Sequence, residues 1–124
     1  MPKKILVVED TAALARALQV KLKLAGFEAE TSPNGQEALL FLEKNNVDLI
    51  ILDMIMPLKN GFEVLEELHG RGNKVPVLVL SNLTREEELK KVLTLGAAGY
   101  FLKVDMQLSG FVEYVTKLIN NPVV

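Results

Sequence analysis

The centre of the chain carries the segment Leu49-Ile-Ile-Leu-Asp53, in which four apolar residues run without a break into a carboxylate. A short, unbroken apolar run is typical of a strand buried on both faces, as in a parallel sheet. A buried carboxylate without a partner is costly. The segment therefore predicts a central strand that ends in a functional residue, Asp53.

Further apolar runs lie on both sides of this segment, and amphipathic segments separate them. The runs that predict strands are Ile5–Val8, Val77–Leu80, Tyr100–Leu102 and the weaker, edge-like Glu28–Thr31. Five helices are predicted between and after them, with starts indicated by Asn34-Gly35, Asn60-Gly61, the Thr84/Glu87 capping pair and Asp105, and with ends indicated by Gly26 and Gly96. This alternation predicts one α/β domain over residues 1–124, a doubly wound parallel sheet with helices on both faces.

Composition excludes several classes of protein. The 124 residues are 49% hydrophobic and carry a net charge of −2, which argues against disorder and against a protein that binds duplex nucleic acid. There is no cysteine, and His69 is the single histidine, so Cys-based zinc sites and multi-histidine metal centres are excluded. No apolar stretch approaches the ~18 residues of a membrane helix. We expect a cytoplasmic protein that binds neither nucleic acid directly nor membrane.

Polar residues follow four of the five apolar runs. They are the pair Glu9-Asp10, Asp53, Ser81 and Lys103. Right-handed crossovers bring the carboxyl ends of parallel strands to one edge of the sheet, where ligands bind. Taken singly, each residue also has an ordinary interpretation: the acidic pair as a helix cap, the serine and lysine as solvated strand ends. Their convergence favours a shared site.

The residue types at this edge indicate the chemistry. Clustered carboxylates repel one another unless a cation lies among them, and ligands that are all oxygen select a hard ion, Mg²⁺ or Mn²⁺. A lysine and a hydroxyl opposite the ion could bind the remaining oxygens of a phosphate. A carboxylate can itself be the nucleophile and form an aspartyl phosphate, and Asp53 is best placed for that.

At this point the sequence resembles the receiver domain of two-component response regulators, of the CheY-like superfamily. The segments that carry the resemblance are Ile5–Asp10, Asp53–Pro57 with Gly61, Ser81, and Gly99–Lys103. The resemblance covers essentially the whole chain. It implies a flavodoxin-like sheet of order 2-1-3-4-5, an order known for this fold.

The resemblance also implies a role for each site residue. Asp53 accepts a phosphoryl group from a sensor histidine kinase or a histidine phosphotransfer protein. Mg²⁺ is held by Glu9, Asp10, Asp53 and the backbone carbonyl of Ile55. Lys103 and Ser81 bind phosphoryl oxygens, and Tyr100 turns inward when Ser81 moves, which changes the surface that a downstream protein target contacts. The domain catalyses only its own phosphotransfer and autodephosphorylation.

Three positions differ from the family's common pattern. Val104 follows Lys103 where proline is usual, and a cis bond before valine would cost ~2.5–4 kcal/mol, so a trans bond is expected there. Asn82 replaces the usual small residue after Ser81, and Ile55 is apolar. We expect Asn82 and Ile55 to modulate hydrolysis of the phosphoryl group by hindering the attacking water.

Other functions remain open from the sequence. A phosphorylation-independent interaction module of the same fold is the main alternative. A phosphatase that forms its own aspartyl phosphate commonly carries a second acid two residues after the nucleophile, where this chain has Ile55. A flavin-binding protein would need a phosphate loop after the first strand, and Glu9-Asp10 would repel a phosphate there. The phosphorylated switch is the preferred interpretation.

Overall fold

Five strands and five helices alternate along the computed structural model, which describes residues 2–54, 60–81, 86–103 and 107–120. The strands are β1 Lys4–Val8, β2 Glu28–Ser32, β3 Leu49–Asp53, β4 Val77–Ser81 and β5 Gly99–Leu102. The helices are α1 Ala12–Leu24, α2 Gly35–Lys44, α3 Gly61–Gly70, α4 Glu86–Thr94 and α5 Leu108–Asn120. All five predicted strands and all five predicted helices are present.

The strands form one parallel sheet in the order β2-β1-β3-β4-β5. This order confirms the doubly wound α/β prediction and places β2 at an edge, as its weak apolar pattern indicated. In the registers, Val8 lies opposite Leu52, Asp53 opposite Leu80, and Ser81 opposite Leu102. The carboxyl ends of β1, β3, β4 and β5 therefore lie side by side.

Each face of the sheet builds its own core. Successive strand residues point to opposite faces, so Leu6 and Val8 pack with α2, α3 and α4, while Ile5 and Val7 pack with α1 and α5. The helices contribute one apolar side each to these layers. Within the described ranges, no helix combines the length and the apolar character needed to cross a bilayer.

Polar and glycine residues set several helix ends as predicted. Asn34 Oδ1 accepts a hydrogen bond from the Glu37 amide at 2.8 Å at the start of α2. After α1 and α4, Gly26 and Gly96 have φ of 99° and 98°, a left-handed conformation that favours glycine. The predicted caps Thr84 and Asp105 lie outside the described residues.

Candidate functional site

The carboxyl edge of the sheet brings together three of the predicted side chains. Asp53 is the last residue of β3, Glu9 directly follows β1, and Lys103 directly follows β5. Glu9 is held in place by its amide, which donates to the carbonyl of Ser32 at 3.0 Å and so ties the end of β1 to the end of β2. Backbone pairing fixes the positions of Glu9 and Asp53.

Lys103 lies between two buried carboxylates. Its Nζ is 3.1 Å from Glu9 Oε1 and 3.3 Å from Glu9 Oε2, and it is 3.2 Å from Asp53 Oδ1. Glu9 and Asp53 are 2% and 4% exposed, so these contacts form largely out of water, where ionic hydrogen bonds are strong. The ammonium group offsets part of the cost of burying the two acids.

Asp10 completes a cluster of three acids. Glu9, Asp10 and Asp53 each offer one carboxylate oxygen, and these oxygens lie within 4.8 Å of one another. Asp10 is exposed while the other two acids are buried. The cluster is open to solvent on one side and could hold a metal ion.

The crowding of carboxylates alters proton affinity at the site. Burial, followed by the hydrogen bond and charge of Asp53, raises the pKa of Glu9 to about 7, although Lys103 opposes the rise. Burial alone would lower the pKa of Lys103, but its hydrogen bond with Glu9 and the charge of Asp53 outweigh it and raise that pKa. Lys103 therefore keeps its positive charge at neutral pH beside the two buried acids.

Of the remaining predicted site residues, the structure describes Ser81 and Tyr100. Ser81 ends β4, adjacent to β3, and is buried at 3% exposure. Tyr100 lies on β5 with 38% of its surface exposed. Ile55 and Asn82, together with Val104, lie outside the described residues. His69, near the end of α3, is exposed.

Sequence reasoning missed a groove beside the acidic cluster. It has a volume of about 440 Å³ and is lined by Asp10, Ala15, Arg16 and Ser32, among others, between α1 and the end of β2. Ser32 is buried, and its carbonyl holds Glu9. A serine at the end of an edge strand gives no local signal of this role, since the contact depends on strand pairing.

Comparison with known proteins gives one family. The family model of the response regulator receiver domain matches residues 5–117. The chain belongs to the response regulator receiver domain family. Receiver domains of this family are signalling domains rather than conventional enzymes.

Curated relatives of this receiver domain are larger proteins. This receiver domain is 39% identical over 105 residues to the alkaline phosphatase synthesis transcriptional regulatory protein PhoP of Bacillus subtilis. The alignment covers 83% of this chain and 43% of the relative. The domain is 36% identical over 103 residues to the response regulator MprA of a Mycobacterium species, covering 83% of this chain and 45% of the relative. The receiver domain thus spans less than half the length of these relatives.

Solved structures match the fold closely. The receiver domain of the Francisella response regulator 1452 superposes with a TM-score of 0.90 at 27% identity, covering 98% of this chain and 99% of the other. The chemotaxis response regulator CheY4 of Vibrio cholerae gives a TM-score of 0.88 at 28% identity, covering 95% and 99%. The flavodoxin-like fold is therefore confirmed over nearly the whole receiver domain.

Proposed function

We propose that residues 1–124 form one receiver domain that acts as a phosphorylation-activated switch, with Asp53 as the phosphoacceptor. The donor is a sensor histidine kinase or a histidine phosphotransfer protein. The observation that carries the proposal is the buried Asp53 carboxylate, which lies 3.2 Å from the Lys103 ammonium and within a cluster of three acids. Membership of the receiver family and the response regulators among its relatives support it.

The acidic cluster is suited to Mg²⁺, with Mn²⁺ as an alternative. Glu9, Asp10 and Asp53 present only carboxylate oxygens, the ligand type that hard divalent ions prefer. The family resemblance adds the backbone carbonyl of Ile55 as a further ligand. When bound, the ion would neutralise charge on the transferring phosphoryl oxygens.

Asp53 forms the covalent bond in the proposed transfer. One carboxylate oxygen attacks the phosphorus of the phosphohistidine and forms a P–O bond as the P–N bond breaks. The electron pair of the broken bond stays on the imidazole nitrogen, which takes a proton from solvent. Lys103 moves its hydrogen bonds from the carboxylates to a phosphoryl oxygen, where its positive charge stabilises the developing negative charge.

Hydrolysis reverses the switch. Water attacks the phosphorus, the bond to the Asp53 oxygen breaks, and inorganic phosphate leaves as the carboxylate is restored. Asn82 and Ile55 are proposed to flank the path of this water and to hinder it, because asparagine is larger than the usual small residue and isoleucine cannot orient water by hydrogen bonding.

The output of the switch is a changed protein-binding surface. Ser81 binds a phosphoryl oxygen in the phosphorylated state, and Tyr100 turns inward from its exposed position as Ser81 moves. The phosphoryl group provides the differential interaction with two conformations that any such switch requires. A downstream protein target reads the difference at α4, β5 and α5.

Mass spectrometry of the intact protein tests the proposal. Incubation with Mg²⁺ and acetyl phosphate should add one phosphoryl group, which should be absent in Asp53→Asn and in the presence of a chelator. Asp48→Asn is the matched control, because Asp48 is an exposed aspartate just before the opposite end of β3. An adduct that persists in Asp53→Asn would overturn the assignment.

A further inference from the structure

The first residue of α3 lies unusually close to the end of β3. The amide of Gly61 donates to the carbonyl of Met54 at 3.0 Å. A Cβ on Gly61 would lie 2.7 Å from the Asp53 carbonyl oxygen, 2.7 Å from Met54 Cα and 2.5 Å from Met54 Sδ. Two of these three atoms belong to the backbone and cannot rotate away, so any side chain at position 61 must displace the main chain.

The N-terminal turn of α3 is anchored by its own hydrogen bonds and by buried side chains. Asn60 and Glu63 form a reciprocal capping box, with hydrogen bonds of 3.0 and 3.1 Å. Val64 and Leu65 follow in the next turn and are fully or almost fully buried against the sheet. Because the helix is anchored by both, we expect the end of β3, at Asp53 and Met54, to take up part of the displacement.

We propose that Gly61 is a positioning residue for the phosphoacceptor. Its missing side chain allows the backbone of Asp53 to stay where the carboxylate reaches both Lys103 and the other acids. This inference rests on the proposed function, since it assigns Gly61 a part in the geometry of the reacting carboxylate. A small displacement of a reacting group can cost a large factor in rate, ~100-fold for 1 Å.

The other end of the same helix provides a matched control. Gly70 is the last residue of α3, and an added Cβ there would have no heavy atom of the described residues within 4 Å. Neither Gly61 nor Gly70 has a positive φ. Replacement by alanine therefore changes helix propensity in the same direction at both sites, but only Gly61→Ala introduces a steric conflict.

The experiment compares the parent, Gly61→Ala and Gly70→Ala under conditions where circular dichroism shows each to be folded. Two quantities are measured: the maximal rate of phosphorylation at saturating acetyl phosphate with Mg²⁺, and the affinity for Mg²⁺ alone from amide chemical shifts. Gly61→Ala should lower the maximal rate by ~10-fold or more and weaken Mg²⁺ binding. Gly70→Ala should stay within about twofold of the parent in both.

A purely structural role for Gly61 gives a different pattern. The melting temperature of Gly61→Ala would fall, but the folded protein would keep the parent's maximal rate and Mg²⁺ affinity, which would overturn the inference. If Gly61→Ala is unfolded in buffer, trimethylamine N-oxide, which favours compact states, is added to all three proteins before the same comparison. A variant that stays unfolded even then would also overturn it.

The parent protein separates this inference from the proposed function. If the parent takes no phosphoryl group on Asp53, the proposed function fails. If the parent is phosphorylated on Asp53 and Gly61→Ala matches its rate, only the positioning role fails.

Discussion

Strands β3 and β5 both contribute to the site, yet they are packed very differently. All five residues of β3 are buried, and the strand is paired on both sides. β5 lies at the edge of the sheet, pairs only with β4, and has no buried residue among its four. The reacting carboxylate thus stands on the rigid centre of the sheet, whereas the proposed reporter, Tyr100, stands on a strand with room to move.

The contacts of β5 explain how it can transmit a change. Phe101 packs edge-on against Phe111 of α5, with ring centroids 5.2 Å apart, and contacts Tyr114 at 5.7 Å. Lys103, just beyond β5, reaches across to Glu9 and Asp53. The edge strand is therefore connected to the centre of the sheet by a charged side chain and to α5 by aromatic rings.

The largest expected effect tests the difference in packing directly. Ile51→Ala, at a fully buried position of β3, should lower the free energy of unfolding by about 2–5 kcal/mol because it leaves a cavity. Tyr100→Ala on β5 should lower it by less than about 1 kcal/mol, since 38% of Tyr100 is already exposed in the folded protein. Urea unfolding measures the free energy of unfolding of both variants. Equal decreases would contradict the difference in packing between β3 and β5.

Removing the connection between the two strands should impair the chemistry. Lys103→Ala should slow phosphorylation by acetyl phosphate by about 100-fold, because one preorganised charge is lost at the reacting group. Lys90→Ala is the control, since Lys90 forms an exposed pair with Glu86 on α4. A Lys103→Ala rate within a few-fold of the parent would show that the lysine is dispensable.

The burial of Glu9 should also make the free energy of unfolding depend on pH. With chelator present, the folded pKa of Glu9 is about 7 against an ordinary value of 4.5, so the folded state binds more protons between these values. Stability should then fall by about 2 kcal/mol as pH rises from 4.5 to 7. Glu9→Gln should flatten this dependence in urea titrations at several pH values. An unchanged slope in Glu9→Gln would assign the effect to another group.

A smaller effect is expected on the lifetime of the phosphoryl group. Asn82 follows the end of β4, the strand between the two compared here. Asn82→Ala should shorten the lifetime a few-fold by opening the path of the attacking water, and Ile55→Asn should shorten it by orienting that water. Autodephosphorylation rates measure both, and a longer lifetime in Asn82→Ala would mean that the amide assists hydrolysis.

The smallest expected effect, a set of amide chemical-shift changes, tests whether β5 responds to phosphorylation of Asp53. On phosphorylation, amide chemical shifts should change from Ser81 through Tyr100 to Lys91 on α4 and Val112 on α5. The reason is that β5, the edge strand that carries Tyr100, lies between α4 and α5 in the chain and packs on α5 through Phe101. Changes confined to residues beside Asp53 would contradict a transmitted switch.

The sequence alone determined the architecture and the residues that meet at one edge. Short apolar runs such as Leu49–Leu52 predict strands buried on both faces because no polar residue interrupts them. Right-handed crossovers then align the carboxyl ends of these strands. The positions of Glu9, Asp53 and Lys103 follow from that geometry. The edge position of β2 was also readable, since its pattern has few apolar residues.

Tertiary structure decided which site residues are buried and which distant residues they contact. Glu9 and Asp10 are adjacent in sequence, but Glu9 is buried against Lys103, 94 positions away, and Asp10 is exposed. In the sequence, Gly61 indicates a helix start and belongs to a segment that carries the family resemblance, whereas its contact with Asp53 arises from the docking of α3 on β3. Local patterns carry burial and periodicity, but contacts between distant segments depend on how whole elements pack, and no local signal records them.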